Sequence, residues 1–130
     1  MCGAWDAGRN VLTVVRYTLP AGKKEYVNSM WELQKEPFAG DAINSYNDGP
    51  STPGGKPFGP FFELETSSPA AALGPDESIT HTHRTMHFTG TREELDRISH
   101  ALLGVGLTEI EHALDSRPGP ALGPGRTIPK

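Results

Sequence analysis

Val11-Leu12-Thr13-Val14-Val15-Arg16-Tyr17-Thr18-Leu19 decides the fold class. The run is β-branched and lacks a helical period. Val11, Thr13, Val15 and Tyr17 fall on one face and Leu12, Val14, Arg16 and Thr18 on the other, so it reads as a strand. Pro20-Ala21-Gly22-Lys23 follows as a turn signal. A second strand is predicted over 25–33, with Val27, Trp31 and Leu33 sharing a face and Asn28, Glu32 and Gln34 opposite. Two such runs around a short glycine turn read as an antiparallel hairpin.

Further along, a weaker strand is predicted over 42–46, between Gly40 and Asn47-Asp48-Gly49-Pro50. The stretch 51–60 carries Pro53, Gly54, Gly55, Pro57, Gly59 and Pro60 and cannot be a helix or a central strand, because proline supplies no donor and glycine weakens a ladder. It is a loop longer than a tight hairpin needs, a length that suits either a connector or a functional loop. The clearest strands are 61–66 and 78–89, separated by a segment with Pro69, Gly74 and Pro75.

After Gly90 the period changes. Thr91-Arg92-Glu93-Glu94 is a capping box, Leu95, Ile98, Ala101 and Leu102 recur at helical spacing, and Gly104 stops the helix. A second box, Thr108-Glu109-Ile110-Glu111, starts a short helix that ends near Leu114. From Ser116 onward, Pro118, Pro120, Pro124 and Pro129 stand among three glycines with little to bury, the composition of a disordered tail. The expected organisation is a mainly β chain: an antiparallel β-sandwich portion over 1–90, C-terminal helices over 91–115 and a tail over 116–130.

The chain has 130 residues, a length for one domain that can bury roughly two thirds of its unfolded surface. Twelve Lys+Arg against sixteen Asp+Glu give a net charge of −4. Acids and bases are spread evenly over both halves, so nucleic-acid binding by bulk charge is not expected. No apolar run approaches the ~20 residues of a membrane span. Cys2 is the single cysteine, so no internal disulfide forms. Met1-Cys2-Gly3-Ala4-Trp5-Asp6 has neither the basic start nor the apolar core of a signal peptide, which gives a cytoplasmic location as the default expectation.

The segment richest in chemistry is Thr80-His81-Thr82-His83-Arg84-Thr85-Met86-His87-Phe88. On a strand, His81, His83 and His87 project to one face with Thr85 and Thr89, while Thr82, Arg84, Met86 and Phe88 project to the other. Residues two apart stand roughly 6–7 Å apart at Cα, so imidazoles can converge on one ion or ligand. Glu63 and Glu65 share a face of the preceding strand. Were the two strands paired, carboxylates and imidazoles would line one hollow, suited to general acid–base work or to a His-rich metal site with carboxylate help. The same residues also suit a polar or solvated sheet face. His100 and His112, on the helices, read as surface residues, and Trp5 and Trp31 as core or rim, although aromatic rims suit sugars.

Two resemblances bear on these residues. Gly74 followed by His81-Thr82-His83 resembles the opening of the first metal motif of cupin barrels, with Met86 and His87 where that motif has a glutamate. More extensively, Glu63-Leu64-Glu65-Thr66, then Pro69, then Leu73-Gly74-Pro75-Asp76-Glu77, then the strand running to Phe88 resembles the C-terminal part of the galactose mutarotase-like (aldose epimerase-like) family in order and spacing. The whole chain also resembles the C-terminal end of an uncharacterised bacterial family with that supersandwich fold. Ser67 stands where epimerases usually have Gln, and Asp76 replaces the turn Gly. Family members are longer, with the general-acid histidine and most sugar contacts far upstream of the glutamate strand.

The resemblance implies a partial supersandwich that binds or processes a small-molecule carbohydrate, with Glu65 matching the base that takes the anomeric proton. His81, His83 or His87 would supply the acid, an assignment from this chain's own residues. Glu63, Arg84 and Trp31 are the candidate substrate contacts. No cofactor is expected on this reading. The alternative is a metal-binding module in which His81, His83 and His87 hold one divalent ion. A third reading is a non-catalytic C-terminal fragment that self-associates as a homo-oligomer or needs a missing upstream half.

Overall fold

The computed structural model describes residues 1–22, 24–30, 33–47, 54–57, 59–113 and 115. The predicted tail, 116–130, lies outside the described residues. The elements in chain order are β1 (Cys2–Asp6), β2 (Val11–Tyr17), β3 (Ile43–Asn47), β4 (Phe62–Thr66), β5 (His83–Thr89), α1 (Arg92–Leu103) and α2 (Leu107–His112). The fold is mainly β, in antiparallel sheets with a C-terminal helical appendix, the class expected from the β-branched run and the late change of period. No helix among the described residues is long and apolar enough to cross a membrane.

One sheet has the order β1-β2-β5 and the other pairs β3 with β4. The hairpin partner of β2 is therefore β1, not the predicted strand over 25–33. The turn between β1 and β2 is set locally. Asp6 Oδ1 accepts from the Arg9 backbone N–H at 3.0 Å, and Asp6 Oδ2 pairs with Arg9 Nη1 at 2.9 Å. Asn10 takes φ 51°, a left-handed value that Asn tolerates better than branched residues do. These bonds hold the Asp6 carboxyl below its ordinary range.

β5 runs antiparallel to β2. Thr18 N donates to Thr82 O at 3.0 Å, Thr82 N donates to Thr18 Oγ1 at 3.2 Å, and Thr13 Oγ1 bonds His87 Nδ1 at 3.0 Å. Each step up β2 is thus one step down β5, which puts Arg16 directly across from Arg84.

Residues 24–30 and 33–40 form a closed loop where a strand is predicted. Asn28 N donates to Pro37 O at 2.8 Å and Gly40 N to Tyr26 O at 2.9 Å, with a single parallel bridge between Tyr26 and Ala39. With β1 beside β2, this segment bonds partly to itself and partly to the chain beyond it, Glu25 O accepting from Ala70 N at 2.8 Å. Gly40 is required by close approach: a Cβ there would collide with the Val27 carbonyl and stand 2.7 Å from Asn28 N. Of the loop predicted over 51–60, residues 54–57, 59 and 60 have no regular strand or helix. Residues 51–53 and Phe58 lie outside the described residues.

The first helix is capped as its sequence dictates. Glu94 N donates to Thr91 Oγ1 at 3.3 Å and Thr91 N donates to Glu94 Oε2 at 2.9 Å, while Gly104 closes the other end at φ 78°. The same bonds lower the Glu94 carboxyl. The second helix starts earlier than its Thr108 box suggests. Its N-cap is Gly106, whose N–H is taken by Glu109 Oε2 at 2.8 Å, and Asp96 Oδ1 accepts from Leu107 N at 2.8 Å. A carboxylate from the preceding helix thus supplies the cap, a partner that a local motif cannot show.

The chain divides into two compact units, Met1–Ala4 with Thr13–His87, and Trp5–Leu12 with Phe88–Lys130. In the first, Val14, Val15, Tyr26 and Pro69 are the buried apolar residues among those described. In the second, they are Leu12, Leu95 and Leu107 beside buried Ser99. Leu95 and Ser99, four apart, mark the inward stripe of α1.

Candidate functional site

The β3–β4 ribbon has two chemically different faces. Its register opposes Asn44 to Glu65, Tyr46 to Glu63 and Ile43 to Thr66. Side chains alternate along each strand, so Asn44, Tyr46, Glu63 and Glu65 occupy one face and Ile43, Leu64 and Thr66 the other.

The first face walls a groove of about 590 Å³, completed by Phe61 and by Ser29 and Met30 of the 24–40 loop. Tyr46 and Phe61 form a tilted aromatic pair with centroids 5.8 Å apart and planes at 34°. Ser29 Oγ donates to Asn44 Oδ1 at 2.7 Å, which fixes the carboxamide. Met30 N donates to Asn28 Oδ1 at 3.1 Å, which fixes the chain carrying Met30. The groove therefore offers two carboxylates, a held carboxamide and an aromatic wall, within the size range of small-ligand sites.

The second face meets imidazoles. Thr66 Oγ1 bonds both His81 Nε2, at 2.9 Å, and His83 Nδ1, at 2.7 Å; His83 Nε2 bonds Thr85 Oγ1 at 2.9 Å. His81 Nδ1 is buried and has no hydrogen-bond partner. Leaving no buried N–H unbonded puts the His81 proton on Nε2. A consistent chain then runs from His81 Nε2–H to Thr66, from the Thr66 hydroxyl to His83 Nδ1, and from His83 Nε2–H to Thr85. It is a chain of hydrogen bonds ended by a threonine, without a carboxylate.

Several expectations change accordingly. The two strands expected to pair, carrying Glu65 and the histidines, belong to different sheets. Glu65 and Glu63 line the groove, whereas His81 and His83 bond the opposite face of the same ribbon. The histidine trio does not share one set of partners. The strand starts at His83 and not at 78, so His81 precedes it, and His87 bonds Thr13 on β2. Arg84 is outside the groove and lines a second cavity with Arg16, Tyr17, Thr18 and Thr82. Trp31 lies outside the described residues. Among the described residues, no group of three or more His, Cys, Asp or Glu side chains is placed to hold a metal ion. Cys2 is half-buried, and that burial raises its thiol above the ordinary value, the wrong direction for a nucleophile.

His100 and His112 are surface residues of the helices, with side chains 55% and 65% exposed. A polar cluster in the second unit was not legible from spacing. Trp5 Nε1 donates to Glu111 Oε1 at 2.8 Å, and Arg92 grips Glu111 with Nη1 to Oε1 at 2.8 Å and Nη2 to Oε2 at 2.7 Å. Arg92 Nη2 also donates to Thr108 Oγ1 at 3.1 Å. The guanidinium first, and then the indole N–H, pull the Glu111 carboxyl from an ordinary 4.5 to about 2. Its four members come from β1, α1 and α2, which no local motif connects.

Residues 1–114 match a family of unknown function, DUF6786. No curated protein and no solved structure matches the chain.

Proposed function

The chain belongs to the DUF6786 family, whose function is unknown, and we propose that its groove over Asn44, Tyr46, Phe61, Glu63 and Glu65 binds a small carbohydrate. The observation that carries the reading is the presence of two carboxylates and an aromatic wall on a single face of the β3–β4 ribbon. Carboxylates and a carboxamide accept and donate to several hydroxyls at once, and an aromatic ring packs the apolar face of a sugar. The sequence resemblance to aldose epimerases supports the same residue, Glu65.

Acid–base chemistry is the extension of this reading. Glu65 takes a proton from the anomeric hydroxyl. The bond from C1 to the ring oxygen breaks to give the open-chain aldehyde, and Glu63 in its carboxylic acid form, two residues away on the same face, delivers a proton to the ring oxygen, since His81 and His83 bond the other face. A proton transfer of this kind contributes about 10²–10⁴-fold in rate.

Titration of the ¹⁵N-labelled chain with a panel of aldoses tests binding. Saturable shifts confined to 29–30, 44–46 and 61–65 support it, and their absence for every sugar removes it. Polarimetry of aldose mutarotation with the native chain and Glu65→Gln tests the chemistry. Equal rates above buffer for the two proteins would remove Glu65 from the mechanism, and no rate above buffer would leave a binding domain without catalysis.

A further inference from the structure

Arg16 on β2 and Arg84 on β5 occupy opposed positions of an antiparallel pair, on the same face of the sheet. Thr18 N donates to Thr82 O two residues further along, so Arg16 and Arg84 form the next hydrogen-bonded pair, with Cα atoms roughly 5.5 Å apart. Like charges directly across a ladder repel. Yet, among the described residues, neither guanidinium has an ion pair or hydrogen bond. The two instead line a cavity of about 460 Å³ together with Tyr17, Thr18 and Thr82, with no carboxylate among the described residues of its wall. Two forked donors, two threonines and no acid are the chemistry of an oxyanion site.

We propose that Arg16 and Arg84 bind a small tetrahedral oxyanion, a phosphate or sulfate group, either free or as the monoester of a small molecule. The ligand is small because the chain as a whole carries a charge of −4, which disfavours a polyanion such as nucleic acid or an anionic membrane. The site stands apart from the carboxylate groove and does not depend on its reading. Bound, the anion bridges the two guanidiniums and cancels the repulsion across the strands. Thr18 and Thr82 fix one another through the bond from Thr82 N to Thr18 Oγ1, which holds the mouth of the cavity in register.

The experiment titrates the full ¹⁵N-labelled chain with inorganic phosphate, inorganic sulfate and glycerol phosphate at constant ionic strength, with chloride as the control. The expected result is saturable binding of one equivalent, with shifts at 16–18 and 82–84. Arg16→Gln and Arg84→Gln should each weaken it tenfold or more, since a charged hydrogen bond lost here is worth roughly that factor. Binding of inorganic phosphate or sulfate assigns the site to the free ion; binding of glycerol phosphate alone assigns it to a monoester. A second readout separates this role from a structural one. Without ligand, each single substitution relieves the repulsion and leaves the melting midpoint equal to or above that of the native chain. A drop in that midpoint would mark the arginines as structural and overturn the proposal. So would failure of all three anions to saturate, or binding that survives both substitutions unchanged.

Discussion

Glu65 and Thr66 are consecutive in the chain and face opposite sides of the β3–β4 ribbon, the carboxylate into the groove and the hydroxyl onto His81 and His83. One peptide unit thus separates two environments that share no partner. Their substitutions are therefore expected to act independently. Thr66→Val keeps the shape but strips both imidazoles of a partner, at a cost of about 1–3 kcal/mol in denaturant unfolding. Glu65→Gln removes a charge from an exposed wall and changes stability by under about 0.5 kcal/mol. The double variant should equal the sum of the two within roughly 0.5 kcal/mol. A larger coupling would show that the faces communicate.

Gly40→Ala tests the loop that carries Ser29 and Met30. The new methyl meets the Val27 carbonyl and the Asn28 amide, which are backbone and cannot rotate away. The expected destabilisation is about 1–3 kcal/mol, the cost of overpacking. Amide shifts should extend to Ser29 and Asn44, because their hydrogen bond depends on the loop's position. Shifts confined to 39–41 would mean that the loop is not built around this contact.

Acid should act through Glu111. In the folded chain its carboxyl titrates at about 2 against an ordinary 4.5, so the folded form is the more acidic. The associated stability is complete above pH of about 4.5 and is lost as pH falls toward 2. Trp5 donates to this carboxylate, so its fluorescence should change over the same window. Glu111→Gln should flatten both profiles; an unchanged acid limb would assign the effect elsewhere.

The helix boundaries offer a direct check. Thr91→Ala removes the side-chain half of the box and should cost about 1 kcal/mol. Gly104→Ala forces a Cβ into φ 78° and should cost about 1–2 kcal/mol. Thr108→Ala should cost only the exposed hydrogen bond that Thr108 accepts from Arg92, about 0.5–1 kcal/mol, because Gly106 and not Thr108 begins the second helix. Circular dichroism during denaturation measures all three.

The β class, β2, β3, β4 and the whole of α1 were legible because each is written in local chemistry: alternation, a capping box, a glycine stop. The first strand was not, since Cys2–Asp6 is short and has weak β-propensity; only its pairing with β2 makes it a strand. Residues 25–33 alternate as a strand should, but both sides of β2 are taken by β1 and β5, and Gly40 and Pro37 close residues 26–28 into a loop instead. Glu63 and Glu65 were readable as a same-face pair, and they do line a cavity. Their separation from the histidines was not readable, because it follows from which strands pair, a long-range fact that spacing does not contain. Arg84 stood out in the sequence, but its counterpart Arg16 gains meaning only from the β2–β5 alignment.

That alignment has a broader consequence. The contact between Thr13 and His87 and the opposition of Arg16 and Arg84 are two readings of a single phase between two strands. A slip of one residue would turn every side chain of the moving strand to the other surface, parting the guanidiniums and the threonine–histidine bond together. The threonine–histidine contact thus works as a proofreading mark for the paired arginines: any fold that seats His87 on Thr13 has already aligned them.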